Sequence, residues 1–206
     1  MTINRAVKEN AIARVILLSS VGAQHGQGVG PVNGLHDAEV AFADTGATVT
    51  VLRPGWFMEN YLTQVDAIRS MGSVFMPVPG TMTVPMISTA DIGRVAADVL
   101  HSPPASSGVR ELLGPRDVSL DEAAGLIGEA IGRPVQHVQV APEQAREAFL
   151  GMGLGADITR LYLEMFEGFA TGLLAPEAPR TEASTTPTEF AAFAKRFLAP
   201  GLEEPV

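Results

Sequence analysis

Two five-residue runs, Arg14 to Leu18 (RVILL) and Thr48 to Leu52 (TVTVL), constrain the fold more than anything else in the chain. Each is rich in branched aliphatic side chains at successive positions, the pattern of strands covered on both faces. Such strands belong to parallel sheets, and parallel neighbours need a long crossover between them, usually a helix. The intervening residues supply one. A glycine-rich loop at 25–34 leads into a helical pattern from Leu35 to Asp44, and Gly46 stands where a helix C-terminal glycine belongs. A shorter helical pattern, 5–13, precedes the first run. Helix, strand, helix, strand is the alternation of a doubly wound α/β sheet.

The second run ends abruptly in Arg53-Pro54-Gly55, because proline donates nothing to a ladder and glycine permits an unusual turn. Trp56, Phe57, Met58, Asn60 and Tyr61 follow beyond the strand's carboxyl end. In open α/β sheets that is where ligands sit. The aromatic side chains serve there as a pocket wall or as packing against a second lobe. Glu59 and Asn60 either meet a ligand carbonyl or cap the helix expected over 58–70.

Downstream the pattern is mostly helical. Val84 to Ile87 is a short extended piece, and Ser88-Thr89-Ala90-Asp91 resembles a capping box opening a helix with Ile92, Val95, Ala96, Val99 and Leu100 on one face. Val109 to Leu113 reads as a strand. Ser119-Leu120-Asp121-Glu122 forms a second box, and Val135 to Val140 alternates as a half-exposed strand does. Helices are expected over 143–152 and 156–174, and a last one announced by Thr186-Pro187-Thr188-Glu189. The expected architecture is α/β: a partial Rossmann-type parallel sheet in 1–87, and a mostly helical lobe with a small strand pair in 88–206.

Composition narrows the partners. A formal charge of −9 without any Lys/Arg-rich run argues against nucleic acid. The chain has no cysteine, which excludes disulfides, thiol catalysis and cysteine-ligated zinc. His101 and His137 lack companions at ligand spacing, so no metal site is expected. No apolar run is long enough for a membrane span, and the N-terminus lacks a signal-peptide centre, so a cytoplasmic protein without a membrane partner is expected.

In order along the chain, ARVILLSSVGA, GLHDAEVAFADTGA, TVTVLRPGWFMENY, VPMISTADIGRVAADVL and ELLGPRDVSLDEAAGLIGEAIGRPV together resemble the NmrA-like branch of the atypical short-chain dehydrogenase/reductase family. The resemblance spans about residues 5–198. It implies a Rossmann-type sheet binding NADP(H) or NAD(H), under a lobe that closes over a small carbonyl or quinone-like substrate. On the matched positions, Ser19, Ser20, Val21, Pro54, Gly55 and Trp56 would line the cofactor, and Phe57, Asn60, Tyr61 and Met86 the substrate. Two departures stand out. The family's glycine fingerprint has no counterpart among the residues before Arg14, which contain no glycine, so the chain reads as the C-terminal part of such a protein. The Tyr-x-x-x-Lys pair of typical dehydrogenases is also absent, and His36 and Val40 occupy the matching helix.

His36 is the candidate acid/base, since histidine titrates near neutral pH; the plainer role is a helix-surface histidine. Asp37 and Glu39 fit a solvated acidic face, Arg53 a salt-bridged strand end, and Met71, Met76, Met82 and Met86 either an adaptable apolar pocket or core filling. Gly151 to Gly155 (GMGLG) follows no strand, so it is not a phosphate loop. Three functions remain in view: an NAD(P)-dependent oxidoreductase, a binding or regulatory module without dinucleotide, and a cofactor-free isomerase or cyclase using His36 or Glu39. A strand edge left bare beside Arg14 to Leu18 predicts a homodimer or another association across it.

Overall fold

The computed structural model describes residues 2–103 and 106–202. Helix α1 (Ile3–Glu9) leads into strand β1 (Arg14–Leu18), and α2 (Asn33–Ala43) crosses over to β2 (Thr48–Pro54). Strands β3 (Trp56–Phe57), β4 (Ser73–Met76) and β5 (Thr83–Ile87) follow, with a 3₁₀ stretch at Met58–Gln64 and helix α3 (Val65–Met71) among them. Helix α4 (Thr89–His101), strands β6 (Gly108–Leu112) and β7 (Asp117–Ser119), helix α5 (Leu120–Ile131) and strand β8 (Gln136–Gln139) come next. Helices α6 (Pro142–Gly151) and α7 (Ala156–Ala170) precede a composite last helix of α8 (Phe190–Phe193), a π-type turn (Ala194–Leu198) and α9 (Ala199–Leu202).

The two apolar runs are parallel neighbours, with Arg14 opposite Thr48 and Leu18 opposite Leu52. Strand β6 joins the other side of β2 in parallel, giving the order β1-β2-β6. The sheet is thus α/β and Rossmann-type, and its third strand comes from well beyond its first two. Among the described residues no strand pairs with the outer edge of β1, and Leu18 on it is half exposed. Two further sheets, β3-β5-β7 and the parallel pair β4-β8, carry the lobe. Strands β3, β4 and β7 are two to four residues long, too short for alternation to reveal them.

Pro54 corrects the expected end of β2. It lies within the strand opposite Leu112, and its carbonyl accepts from the Val21 amide at 3.0 Å. Proline lacks only the donor, so a last-position proline still serves the ladder as an acceptor. Gly55 is likewise needed for close approach and not for a turn: a Cβ there would run into the Pro85 carbonyl of β5.

The caps hold with two corrections. Ser119 Oγ accepts from the Glu122 amide at 3.0 Å, as its spacing predicts. Ser88 caps α4, but Asp91 leaves the box: its buried carboxylate accepts from the Thr188 amide at 3.0 Å and from Arg94 at 2.5 Å, fastening the C-terminal segment. Glu59 supplies the missing acceptor, taking bonds from the Thr89 amide at 2.9 Å and Thr89 Oγ1 at 2.7 Å. It therefore caps α4, thirty residues on, and not its own segment. At the other end Thr186 is spent on the Leu113 carbonyl, and the last helix begins only at Phe190. The largest core cluster packs Met58, Tyr61, Met86, Leu120, Ile127 and Phe190 between the small sheets, α5 and that last helix.

Candidate functional site

A cavity of about 1000 Å³ opens beyond the carboxyl ends of β1 and β2. Ser20, Gly55, Trp56 and Phe57 form the sheet-side wall. Met71, Phe75 and Met76 line it from the α3–β4 region, while Phe149 and Met152 with α6, and Tyr162, Phe166 and Phe169 on α7, face it from the lobe. The volume sits at the top of the range for small-molecule sites, roughly 300–1000 Å³. Asp66 is the one charged lining residue among those described, and it is an exposed partner of Arg69 at 2.8 Å. The interior is therefore apolar and uncharged, with Ser20, Asn60, Gln64 and Gln144 as scattered polar contacts.

Trp56 anchors the wall. Strand β3 sets it opposite Met86 of β5, and its ring meets Phe169 edge-on at 4.9 Å and Phe166 at 6.2 Å. Phe149 in turn stacks on Phe166 with planes 11° apart. Such arrangements hold aromatic faces at fixed angles, the geometry that flat π-ligands complement.

The expected site residues divide. Ser20, Gly55, Trp56, Phe57 and Asn60 do line the cavity, as do Met71 and Met76. Ser19, Val21 and Pro54 lie behind that wall in the ladder of β1 and β2. Tyr61, Met82 and Met86 belong to the core instead. An aromatic residue just past a strand end reads as pocket wall, but the 3₁₀ path of Met58–Gln64 turns Tyr61 inward, edge-on to Phe190 at 5.0 Å. Its hydroxyl is buried with no partner among the described residues, and burial pushes the phenol above its ordinary pKa. An unpaired buried hydroxyl costs free energy. Tyr61→Phe is therefore expected to leave stability unchanged or raise it by up to about 1 kcal/mol, measured by urea unfolding.

His36 also stands outside the cavity wall. Its Nδ1 donates to the Ala23 carbonyl at 2.8 Å. Nε2 is turned to Gly26, where a Cβ would come 3.4 Å away. Glu39, one turn later, is not a solvated face. Arg53 Nε and Nη2 grip its two oxygens at 2.9 and 2.6 Å, and Ser19 Oγ donates to it at 2.5 Å. Arg53 Nη1 reaches on to Glu177 at 2.5 Å. Burial pushes the Glu39 carboxyl up, but hydrogen bonds from Arg53 and Ser19 and the Arg53 charge outweigh it and hold it below its ordinary value. The network ties α2, the ends of β1 and β2, and the segment after α7 together directly behind Ser20 and Trp56.

The glycine-rich loop serves packing. Gly30 has φ +59, and a Cβ on it would run into the Leu161 carbonyl of α7 and come 2.9 Å from the Met165 amide. At Gly30 the loop that precedes α2 packs directly on the lobe helix. For a bound dinucleotide the residues present fit the nicotinamide end only: Ser20, Gly55 and Trp56 offer a wall, and no described loop cradles a diphosphate.

A parallel sheet whose strand ends open onto a cavity is the arrangement in which open, Rossmann-type α/β sheets place ligands. The chain belongs to the NmrA-like family, whose model matches residues 2–189. It is similar to an NAD(P)H azoreductase of Xenophilus azovorans, 30% identical over 78% of this chain and 56% of that protein. It is also similar to an agroclavine dehydrogenase of Claviceps fusiformis, 31% identical over 75% of this chain and 53% of that one. The chain thus spans about half the length of these curated relatives. Among solved structures, an NADPH-dependent quinone oxidoreductase of Escherichia coli superposes with a TM-score of 0.71 at 20% identity, over 93% of this chain and 70% of the other. A nucleoside-diphosphate-sugar epimerase of Staphylococcus aureus reaches 0.79 at 20% identity, over 94% and 68%. These likenesses establish the fold. No helix among the described residues is long and apolar enough to cross a membrane.

Proposed function

We propose that this chain forms the substrate-binding part of an NAD(P)-dependent oxidoreductase acting on a small, uncharged carbonyl or quinone-like compound. The observation that supports this reading is the uncharged aromatic cavity at the carboxyl ends of a Rossmann-type sheet, in a chain whose relatives include an NAD(P)H azoreductase. Bound NAD(P)H would supply a hydride at the wall formed by Ser20, Gly55 and Trp56. The chain's own residues then have three tasks. Trp56, Phe166 and Phe169 hold a flat ring by face and edge contacts. The Asn60 amide is the polar group offered to a carbonyl oxygen, since the Ser20 hydroxyl already donates to the Val21 carbonyl at 2.9 Å. The apolar remainder excludes water from the reacting atoms.

The test is to follow oxidation of NADPH and NADH by the protein with naphthoquinone as acceptor, alongside calorimetric titration of each dinucleotide. Acceptor-dependent oxidation with saturable dinucleotide binding is expected. Absence of both binding and oxidation would overturn the reading. The use of the glycine-rich loop for packing on α7 favours a second reading, a binding module without dinucleotide. In that case a quinone raises the melting temperature and NADPH does not.

A further inference from the structure

Two helices that border the cavity end in the same way, and each ends on a methionine. Helix α3 stops at Met71, and Gly72 follows with φ +61, its amide donating to the Ile68 carbonyl at 3.0 Å. Met152 closes α6, its amide donating to the Ala148 carbonyl at 2.9 Å, and Gly153 follows with φ +88. A left-handed glycine after the last turn is a common hydrogen-bonded helix cap. Here it leaves each thioether beside a residue that has no side chain to cover it. Helix α6 buries only Ala145, so no core packing draws its last side chains inward. Met71 is 60% exposed and Met152 72%, and both line the cavity. Residues that line a cavity and are still largely exposed stand where it opens to solvent.

The other methionines described are shielded. Met58, Met76 and Met86 are 1%, 5% and 0% exposed, and Met82 and Met165 are half-buried. An oxidant must reach the sulfur to react with it. The chain has no cysteine, so thioethers are the sulfur that it offers to oxidants. Among the described residues, the two thioethers most open to an oxidant therefore stand at one place, the rim of the cavity.

We propose that Met71 and Met152 are a paired site of reversible oxidation by hydroperoxides, and that their sulfoxides make the cavity reject apolar ligands. In the step, a lone pair of the thioether sulfur attacks one oxygen of hydrogen peroxide. The O–O bond breaks and an S–O bond forms. The transferred oxygen gives its proton to the departing hydroxide, which leaves as water. Sulfur is oxidised by two electrons, and the peroxide is reduced by the same two. The product replaces a soft apolar group with a polar sulfoxide, and sulfoxide reductases reverse it. At the rim water satisfies the sulfoxide oxygen. An apolar ligand that covers the rim strips that water and offers no donor in its place, which is unfavourable. The loss of affinity rests on reading this cavity as the ligand site; the order in which the sulfurs oxidise does not.

The test treats the whole chain with hydrogen peroxide in increasing amounts and maps each methionine by peptide mass spectrometry. Met71 and Met152 should oxidise first, and Met58 and Met86 last. Occupancy is read with prodan, an uncharged naphthalene ketone without a hydrogen-bond donor. Trp56 is the chain's only tryptophan and lies in the cavity wall, so energy transfer from it reports prodan bound there. Oxidation of both rim methionines should weaken prodan binding roughly tenfold, and methionine sulfoxide reductases acting on both epimers should restore it. The variant Met71→Leu, Met152→Leu keeps apolar bulk without sulfur and is compared with itself before and after peroxide; its affinity should fall less than about twofold. Met58 or Met86 oxidised as early as the rim pair, no energy transfer in the untreated protein, or unchanged affinity after oxidation overturns the inference. So does an equal loss in the double variant. Reversible loss as expected, with no NAD(P)H oxidation in the separate assay, leaves the methionine site standing and removes the oxidoreductase reading instead.

Discussion

Replacing Gly30 with alanine is expected to lower the unfolding free energy by about 3 kcal/mol, with a fall in melting temperature of roughly 10 °C. Two costs add. A left-handed backbone burdens any L side chain by roughly 1–2 kcal/mol. The new methyl group would also run into main-chain atoms of α7, the Leu161 carbonyl and the Met165 amide, which cannot swing aside as a side-chain tip can. Either the loop or α7 must move, and α7 carries Tyr162, Phe166 and Phe169 on the cavity wall. The Trp56 emission should shift with the same variant, since Phe166 and Phe169 pack on its ring. The control is Gly34→Ala, four residues on in the first turn of α2. A Cβ there meets nothing within 4 Å, so alanine should leave stability unchanged or raise it by up to about 1 kcal/mol. Equal losses for the two variants, read by urea unfolding, would contradict the packing role given to this loop.

That loop shows where reading by sequence stops. From sequence the glycine-rich stretch is only a loop ahead of a helix, and the placement of α7, more than a hundred residues later, shows why Gly30 must be glycine. Elements fixed by local chemistry were legible: both apolar runs, their crossover helix, and the Ser119 cap follow from neighbours in sequence. The short strands β3, β4 and β7 were not. Four residues such as Ser73–Met76 become a strand because Gln136–Gln139 arrives beside them in parallel, and nothing within the four announces it. Glu59 is the same case for a side chain, since its partners are the amide and hydroxyl of Thr89.

The candidate site was half legible for a related reason. The sheet-side wall follows a strand end, where topology places ligands, so Trp56, Phe57 and Asn60 could be named from sequence, and the family resemblance adds Ser20 and Gly55. The opposite wall comes from helices whose aromatic spacing looks like ordinary core. Tyr162, Phe166 and Phe169 of α7 stand four and three residues apart, which predicts an apolar face without saying whether core or cavity lies beneath it, and Phe149 of α6 has no aromatic companion on its own helix. The sparse burial of α6 is what separates the two, and burial is a property of the fold. Tyr61 errs in the opposite direction, an apparent wall residue that a 3₁₀ turn rotates into the core.

Arg53→Met should cost nearly as much as the Gly30 change, about 3 kcal/mol, by leaving Glu39 buried and unpaired. The side chains of Arg53 and Glu39 are only 7% and 12% exposed, and two of the guanidinium nitrogens hold the two Glu39 oxygens. Removing one partner exposes the desolvation cost that the pair had offset, whereas removing both together discards that cost as well. The double variant Arg53→Met, Glu39→Leu should therefore recover at least half of the loss. The pH dependence gives an independent check. In the wild type the Glu39 carboxyl is held below its ordinary value, so its contribution is complete above the unfolded-state pKa of about 4.3 and fades as pH falls through the lower folded value. In Arg53→Met burial remains while its main compensation is gone, so the folded carboxyl should titrate above the unfolded one and folding should favour its protonated form. Acid then relieves the variant just as it weakens the wild type, and the gap measured at neutral pH should narrow below about pH 5. A gap that stays constant down to pH 4 would assign the loss to lost packing of the arginine stem and not to the stranded charge.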